Sequence, residues 1–251
     1  MSTEALAGRT ALVTGAGRRL GRRIAERLAE AGAAVVVHYR ASRQDAEEVV
    51  GRIRGHGGEA WAVPADLGEP GVSALVAHAA EAAGRPLDIL VNNASVFPED
   101  DLDSMEYADL DANMRVNAWA PFALTRALAA QTEAGAVVNL LDTRIVDDDP
   151  RHVPYLLAKK TLAELTRLTA LRYAPRVRVN AVAPGPVLPP VGGGHESLAA
   201  WKKAVPLQRI GTPDEVADAV LFLLGATDTT GQVLFVDGGR HMGRQAGRPG
   251  P

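Results

Sequence analysis

Short β-branched runs alternate with longer segments of helical periodicity along almost the whole chain, and this alternation restricts the possible folds more than any other feature. Several of the short runs are apolar nearly throughout, which is typical of parallel strands covered on both faces. We predict one α/β domain over residues 1–251, a doubly wound, seven-stranded parallel sheet with helices on both faces. The predicted strands are residues 10–14, 34–38, 60–63, 88–91, 136–140, 178–182 and 232–236.

Two segments break the alternation and are predicted to be irregular. Residues 183–204 begin with a stretch rich in proline and glycine, and we interpret them as a substrate loop. Residues 243–251 are polar and rich in glycine and proline, so we expect this tail to be flexible unless a neighbouring subunit holds it.

The composition rules out several kinds of site and partner. The chain contains no cysteine, which excludes disulfides, zinc–thiolate sites and thiol nucleophiles. The formal net charge of -3 gives no indication of nucleic acid as a partner. No signal peptide is recognisable, and no apolar stretch approaches the ~18 residues that span a bilayer. We expect a soluble, cytoplasmic protein with no membrane partner and no metal.

A glycine-rich turn follows the first predicted strand and leads directly into a helical pattern. It reads Thr14-Gly15-Ala16-Gly17-Arg18-Arg19-Leu20-Gly21. Glycines allow a tight turn and let the backbone approach a pyrophosphate, while the helix N-terminus supplies free N–H groups. The alternative is an ordinary βα turn, but the position between a first strand and an amphipathic helix favours a dinucleotide site.

The end of the second predicted strand indicates which dinucleotide binds. An NAD site usually places a carboxylate about 20 residues past the glycines. Here the chain reads His38-Tyr39-Arg40-Ala41-Ser42-Arg43, with arginines and a serine that suit a 2′-phosphate. We predict NADPH/NADP, the alternative being a solvated basic turn. Asp66 and Leu67 follow the third strand, where Asp66 could bind the adenine or simply close a turn.

Tyr155 and Lys159 lie four residues apart in a helical run, so they share one helical face. A free phenol has a pKa near 10, and a neighbouring ammonium should lower that pKa enough for general acid–base work at neutral pH. Such a pair also occurs by chance on surface helices. Its place after the fifth strand of a dinucleotide fold favours the catalytic interpretation.

Together these motifs resemble the short-chain dehydrogenase/reductase family, from Gly8 to Gly243. Further matches are Asn92-Asn93-Ala94, Asn117, Pro184-Gly185 in the nicotinamide loop, and Val236-Asp237-Gly238-Gly239. The resemblance implies a Rossmann fold, a homotetramer that pairs helices around 111–129 and 155–172, and an Asn117 that holds a water and supports Lys159. It implies a cofactor-binding set of Gly15, Arg18, Arg19, Leu20, Gly21, His38, Tyr39, Arg40, Ser42, Asp66, Leu67, Asn93, Ala94, Ser95, Tyr155, Lys159, Pro184 and Gly185.

Two positions depart from the usual pattern of that family. Arg19 replaces the alanine or glycine two residues before the last glycine of the turn, and Asp142 replaces the serine thirteen residues before the tyrosine. An ionised carboxylate cannot donate a hydrogen bond to a substrate carbonyl. Asp142 instead suits a substrate that offers N–H groups or a ring nitrogen to be protonated. The alternative is a lost serine in an inactive enzyme.

In both departures the chain resembles the pteridine reductases, which include the bacterial dihydromonapterin reductases. In that subgroup a phenylalanine stacks on the pterin. A serine after the fourth strand and the arginine of the glycine-rich turn contact cofactor or substrate. We carry these roles to Phe97, Ser95 and Arg19. Phe97 could alternatively be a core or lid aromatic. Trp201 could cap a bound ring or serve in packing.

The resulting hypothesis is hydride transfer from NADPH to a pterin C=N bond. Asp142, assisted by Tyr155, would deliver a proton to the ring nitrogen, with its pKa raised by desolvation. Lys159 would bind the nicotinamide ribose. Two rivals stay open: a reductase of ketones, sugars or 3-oxoacyl thioesters with the same fold, and a regulator that binds NADP without turnover.

Overall fold

One parallel sheet of seven strands organises the chain. The computed structural model describes residues 5–189, 201–203 and 205–243. The strand order is β3-β2-β1-β4-β5-β6-β7, and every pairing is parallel, which confirms the predicted fold class. The strands are β1 (Thr10–Val13), β2 (Ala34–Tyr39), β3 (Ala60–Pro64), β4 (Ile89–Asn92), β5 (Gly135–Leu140), β6 (Val177–Pro184) and β7 (Val233–Val236).

Helices cover both faces because alternate strand residues point to opposite sides. In β1, Ala11 and Val13 enter one apolar core, whereas Leu12 enters the other. The first core contains residues of α1 (Arg19–Glu30), α2 (Arg43–Gly55) and α7 (Pro213–Gly225), and the second contains residues of α3 (Ala74–Ala83) and α5 (Ala120–Gln131). Two further α-helices of the described residues are α4 (Tyr107–Met114) and α6 (Val153–Tyr173). Within the described residues, no helix combines the length and apolarity needed to cross a membrane.

The chain reverses its direction of winding at β1, which lies between β2 and β4. The crossovers from β1 to β2 and from β3 to β4 therefore lead away from a shared crevice at the carboxyl ends of β1 and β4. Ligands bind open α/β sheets at such a switch point. Every turn that was predicted to hold the cofactor follows the carboxyl end of a strand.

The observed strand boundaries lie within two residues of the predicted ones. The largest difference is β6, which extends to Pro184 because its last residues pair with Val236 of β7. Residues 190–200 and 204 of the predicted substrate loop, and residues 244–251 of the predicted tail, lie outside the described residues.

Candidate active site

A groove of about 480 Å³ opens at the switch point between β1 and β4. The predicted cofactor residues of the first, second, third and fourth strand ends all line it. Four further lining residues were outside the predicted set: Gly17 and Ala41, which belong to the two turns already described, and Val96 and Val116, which have no charge or motif to single them out. The predicted members on its wall are Gly15, Arg18, Arg19, Leu20, Gly21, His38, Tyr39, Arg40, Ser42, Asp66, Leu67, Asn93, Ala94 and Ser95.

The glycine-rich turn needs glycine at two positions. Gly15 has φ +62, and a Cβ there would lie 2.9 Å from the Cα of Ala94. A Cβ on Gly21 would collide with the carbonyl oxygen of Gly15 and the amide of Asn93. The side-chain amide of Asn93 donates to the carbonyl oxygens of Thr14 at 2.9 Å and Gly15 at 3.2 Å. Asn93, which was predicted to bind cofactor, therefore uses its side-chain amide to stabilise the turn.

Arg19 has an unusual backbone for a side chain of its size. Its φ of 53 lies in the left-handed region, which costs an L-residue other than glycine about 1–2 kcal/mol. Its guanidinium Nη2 donates to the carbonyl oxygen of Pro189 at 2.5 Å. Arg19 thus links the glycine turn to the described start of the substrate loop. Its neighbour Arg18 pairs with Asp45 of α2 at 2.5 Å.

The end of β2 places Tyr39, Arg40 and Ser42 on the groove wall. Arg43 instead forms an ion pair with Glu47 at 2.7 Å, one helical turn along α2. Asp66 also lines the groove, and its Oδ1 accepts a hydrogen bond from the N–H of Gly68 at 2.8 Å. Both roles considered for Asp66, closing a turn and facing the adenine end of the site, are compatible with this geometry.

Asp142, Tyr155 and Lys159 come together where β5 meets the start of α6. The hydroxyl of Tyr155 donates to Oδ2 of Asp142 at 3.0 Å, and Oδ1 of Asp142 accepts from the backbone N–H of Arg144 at 2.8 Å. Lys159 is buried and donates to the carbonyl oxygen of Leu140 at 2.7 Å. The carboxylate of Asp142, at the position of the usual serine, thus accepts a hydrogen bond from the phenol of Tyr155.

The electrostatics of this cluster correct one expectation. Burial, and then the negative charge of Asp142, raise the pKa of Tyr155 well above its usual value. We expected Lys159 to lower this pKa, but the carboxylate that accepts the phenol's hydrogen bond opposes formation of a phenolate. Burial lowers the pKa of Lys159 to about 8. Tyr155 is therefore held as a neutral hydrogen-bond donor, the protonation state that an acid needs.

Asn117 lies in a π-helical turn, Arg115–Trp119, between α4 and α5. Such turns recur at functional sites. Its amide donates to the carbonyl oxygen of Val96 at 2.9 Å, and its Oδ1 accepts from the hydroxyl of Ser95 at 2.9 Å. These bonds direct the side chain of Asn117 to the loop after β4, and its predicted water-mediated support of Lys159 stays a prediction. Ser95 lies on the groove wall with its hydroxyl facing Asn117.

Phe97 lies beside the cluster, surrounded by residues that sequence reasoning missed. Its ring stacks on His152 with centroids 3.9 Å apart and meets Tyr155 edge-on at 4.6 Å. The guanidinium carbon of Arg144 lies 4.9 Å from the ring centroid, and its Nε lies 3.2 Å from Oδ2 of the buried Asp149. The contacts of Phe97 with His152 and Arg144 join segments far apart in sequence, so no local pattern could have found them.

The remaining predicted residues lie at the carboxyl ends of β6 and β7. Gly185 donates its N–H to the carbonyl oxygen of Val236 at 3.0 Å, so Pro184 and Gly185 continue the sheet outside the groove. The guanidinium carbon of Arg240 lies 5.0 Å from the ring of Trp201. Arg240 also pairs with Asp147 at 2.9 Å, which ties Trp201 to the segment after Asp142.

A doubly wound sheet, a glycine turn at its switch point and a Tyr–Lys pair beyond β5 define a dinucleotide-binding oxidoreductase. Residues 15–241 match the model of a family described as Enoyl-(Acyl carrier protein) reductase. The chain belongs to the short-chain dehydrogenase/reductase family.

Solved structures and curated relatives of several activities are similar to this chain. FolM alternative dihydrofolate reductase 1 from Brucella suis, in complex with NADP, superposes with a TM-score of 0.91 at 36% identity, over 96% of this chain and 98% of that one. The angucycline C-6 ketoreductase LanV with bound NADP superposes with a TM-score of 0.87 at 33% identity, over 96% and 99%. A 3-oxoacyl-(acyl-carrier-protein) reductase of Synechocystis sp. is 36% identical, over 95% of this chain and 99% of its own length.

Proposed function

We propose that this chain is an NADPH-dependent reductase of a pterin, of the dihydropterin, dihydromonapterin or dihydrobiopterin type. The observation behind the proposal is the hydrogen bond from Tyr155 to Asp142. A carboxylate at this position can accept hydrogen bonds from the amino and N–H groups of a pterin, whereas it repels the oxyanion that forms when a ketone is reduced. The Brucella FolM protein, by name an alternative dihydrofolate reductase, supports this assignment.

NADP is supported by the groove and by the solved relatives. Arg40 and Ser42 line the end of the groove where NAD enzymes place a carboxylate, and both the FolM protein and LanV were solved with NADP. We assign the pyrophosphate to the turn of Gly15 and Gly21, and the adenine to Asp66. Bound NADPH supplies the hydride.

The chain's own residues handle the proton and the substrate's orientation. Tyr155, kept neutral by burial, donates a hydrogen bond that orients Asp142. Asp142 takes up a proton from solvent and delivers it to the ring nitrogen as the hydride reaches the neighbouring carbon. Lys159 would bind the nicotinamide ribose, with Asn117 shaping the neighbouring loop. Phe97 and Trp201 would flank the flat ring, and Ser95 and Arg19 would contact cofactor and substrate at the junction of groove and loop.

A ketone reductase is the second candidate, because LanV and the Synechocystis protein act on ketones by name. The rim of the site argues against a substrate delivered on an acidic carrier protein. Residues 97–114, next to Phe97, include no lysine or arginine, and like charges across an interface disfavour association. Their carboxylates are Glu99, Asp100, Asp101, Asp103, Glu106, Asp109 and Asp111.

We also infer a homotetramer from the exposed apolar residues of α6 and the π-helical turn that precedes α5. Leu156 and Leu162 are buried within the chain, but Leu168 and Leu171 on α6 are 59% and 82% exposed. Trp119 is 53% exposed on the neighbouring turn. Large exposed apolar side chains grouped on adjacent helices are typical of a subunit interface.

The test is NADPH oxidation with a panel of dihydropterin, quinonoid dihydropterin, folate and acetoacetyl thioester. We expect turnover with a dihydropterin at a kcat/KM at least about tenfold above that for the thioester, since one lost polar interaction changes affinity by about that factor. Preference for the thioester would establish the ketone reductase instead. Binding of NADPH with no turnover of any substrate would identify a sensor.

A further inference from the structure

His38 is buried between two turns of the cofactor groove. Its side chain is 1% exposed at the end of β2, so it does not present a free ring to a ligand. Its Nδ1 lies 3.1 Å from the backbone N of Gly15, and its Nε2 lies 3.1 Å from the carbonyl oxygen of Ala65. The carbonyl oxygen of His38 also accepts from the N–H of Ala16 at 2.9 Å.

These two side-chain contacts require one particular form of the imidazole. The N–H of Gly15 can donate only to a ring nitrogen that has a free lone pair, so Nδ1 is unprotonated. The carbonyl oxygen of Ala65 can only accept, so Nε2 bears the proton. The other neutral tautomer would fail at both contacts, and the charged ring would place an N–H against the N–H of Gly15.

The two turns joined by this ring form opposite parts of the groove. Gly15 begins the glycine-rich turn, and Ala65 immediately precedes Asp66 and Leu67, which line the groove. We propose that His38 is a positioning residue for dinucleotide binding: its neutral, Nε2-protonated ring fixes the glycine turn relative to the turn of Asp66. This inference rests on dinucleotide binding alone and holds whichever substrate is reduced.

Burial favours the neutral ring that this role requires. Desolvation lowers the pKa of His38. The hydrogen bond with Ala65 and the negative charge of Asp66 act in the opposite direction and are smaller. The unfolded chain therefore takes up a proton on His38 at a higher pH than the folded protein does. As the pH falls below the usual histidine pKa of about 6.5, this site's contribution to stability decreases, whereas the folded protein keeps the neutral ring, and with it the cofactor affinity, to a lower pH.

The first test is the affinity of the purified protein for NADPH, measured by titration without any substrate. His38→Phe keeps a ring of similar shape but removes both hydrogen bonds, and we expect the NADPH Kd to rise about tenfold, with the kcat at saturating NADPH changed less than about twofold. His78→Phe, at an exposed histidine on α3, is the matched control and should leave the Kd unchanged. An unchanged Kd in folded His38→Phe overturns the proposal.

A second measurement on the wild-type protein does not depend on the variant folding. Nitrogen-15 NMR of the labelled histidines should show His38 with Nδ1 unprotonated and Nε2 protonated, and this form should persist below the usual histidine pKa of about 6.5. A protonated Nδ1 on His38 at neutral pH, or protonation of its ring near pH 6.5, would overturn the proposal even if His38→Phe cannot be purified. Because the NADPH titration and the NMR spectra use no pterin, failure of the pterin assignment leaves both results interpretable.

Discussion

The cofactor end and the substrate end of this site are built in different ways. At the cofactor end, turns at the ends of neighbouring strands are joined by short hydrogen bonds to the backbone, such as those of Asn93 and His38. At the substrate end, ion pairs and ring contacts join side chains from separate segments, such as Arg240 with Asp147 and Phe97 with His152. Backbone hydrogen bonds suit a cofactor site that is independent of the substrate. Side-chain contacts allow substrate preference to change when few residues are replaced.

The largest expected effect separates the two ends. Tyr155→Phe removes the hydrogen bond that orients Asp142 but keeps the ring against Phe97, so we expect kcat to fall about 10²–10⁴-fold while the NADPH Kd changes little. Steady-state kinetics and an NADPH titration on the same preparation check this. A parallel loss of NADPH affinity would show that the two ends are not independent.

The converse change acts at the cofactor end. Arg40→Ala should raise the KM for NADPH about 10–100-fold, because a charge-assisted contact to phosphate is worth about 1.5–3 kcal/mol, and it should leave kinetics with NADH nearly unchanged. Arg43→Ala is the control, since Arg43 already pairs with Glu47. If the two variants weaken NADPH equally, the 2′-phosphate is not bound specifically by Arg40.

The pH dependence distinguishes Lys159 from Tyr155. Lys159 is cationic below its pKa of about 8 and loses its charge above it, whereas the raised pKa keeps Tyr155 protonated through that range. We expect kcat/KM to decline above about pH 8 and Lys159→Arg to remove this alkaline limb in its residual activity. A limb that persists in Lys159→Arg would assign the titration to another group.

The smallest expected effect concerns the junction of the two ends. Arg19→Ala and Arg19→Gly both remove the hydrogen bond to Pro189, but only glycine relieves the left-handed backbone. Arg19→Gly should therefore be more stable than Arg19→Ala by about 1 kcal/mol, or about 2–4 °C in Tm. Equal thermal stability of the two variants would show that the backbone at this position is not strained.

The sequence predicted the cofactor end of the site better than the substrate end. Strand periodicity and the turn of Gly15 and Gly21 are local patterns, so the sheet and most of the groove could be predicted. The family resemblance implied that Asp142 and Tyr155 act together, because Asp142 replaces the usual serine, but their hydrogen bond is a finding of the structure. The surroundings of Phe97 depend on Arg144 and His152, whose contacts arise from tertiary packing without any period. The raised pKa of Tyr155 depends on burial, which a helical spacing does not reveal.

The central claim is that Asp142 makes this site a pterin site, and a single substitution tests it. Asp142→Ser restores the residue usual in ketone reductases, while Asp148→Ser changes a carboxylate that is 98% exposed on the same segment and serves as the control. The measurement is the ratio of kcat/KM for dihydropterin to that for acetoacetyl thioester in each protein. We predict that the ratio falls about 100-fold in Asp142→Ser and is unchanged in Asp148→Ser, as expected for a general acid of this kind. Undiminished pterin reduction by Asp142→Ser would contradict the account.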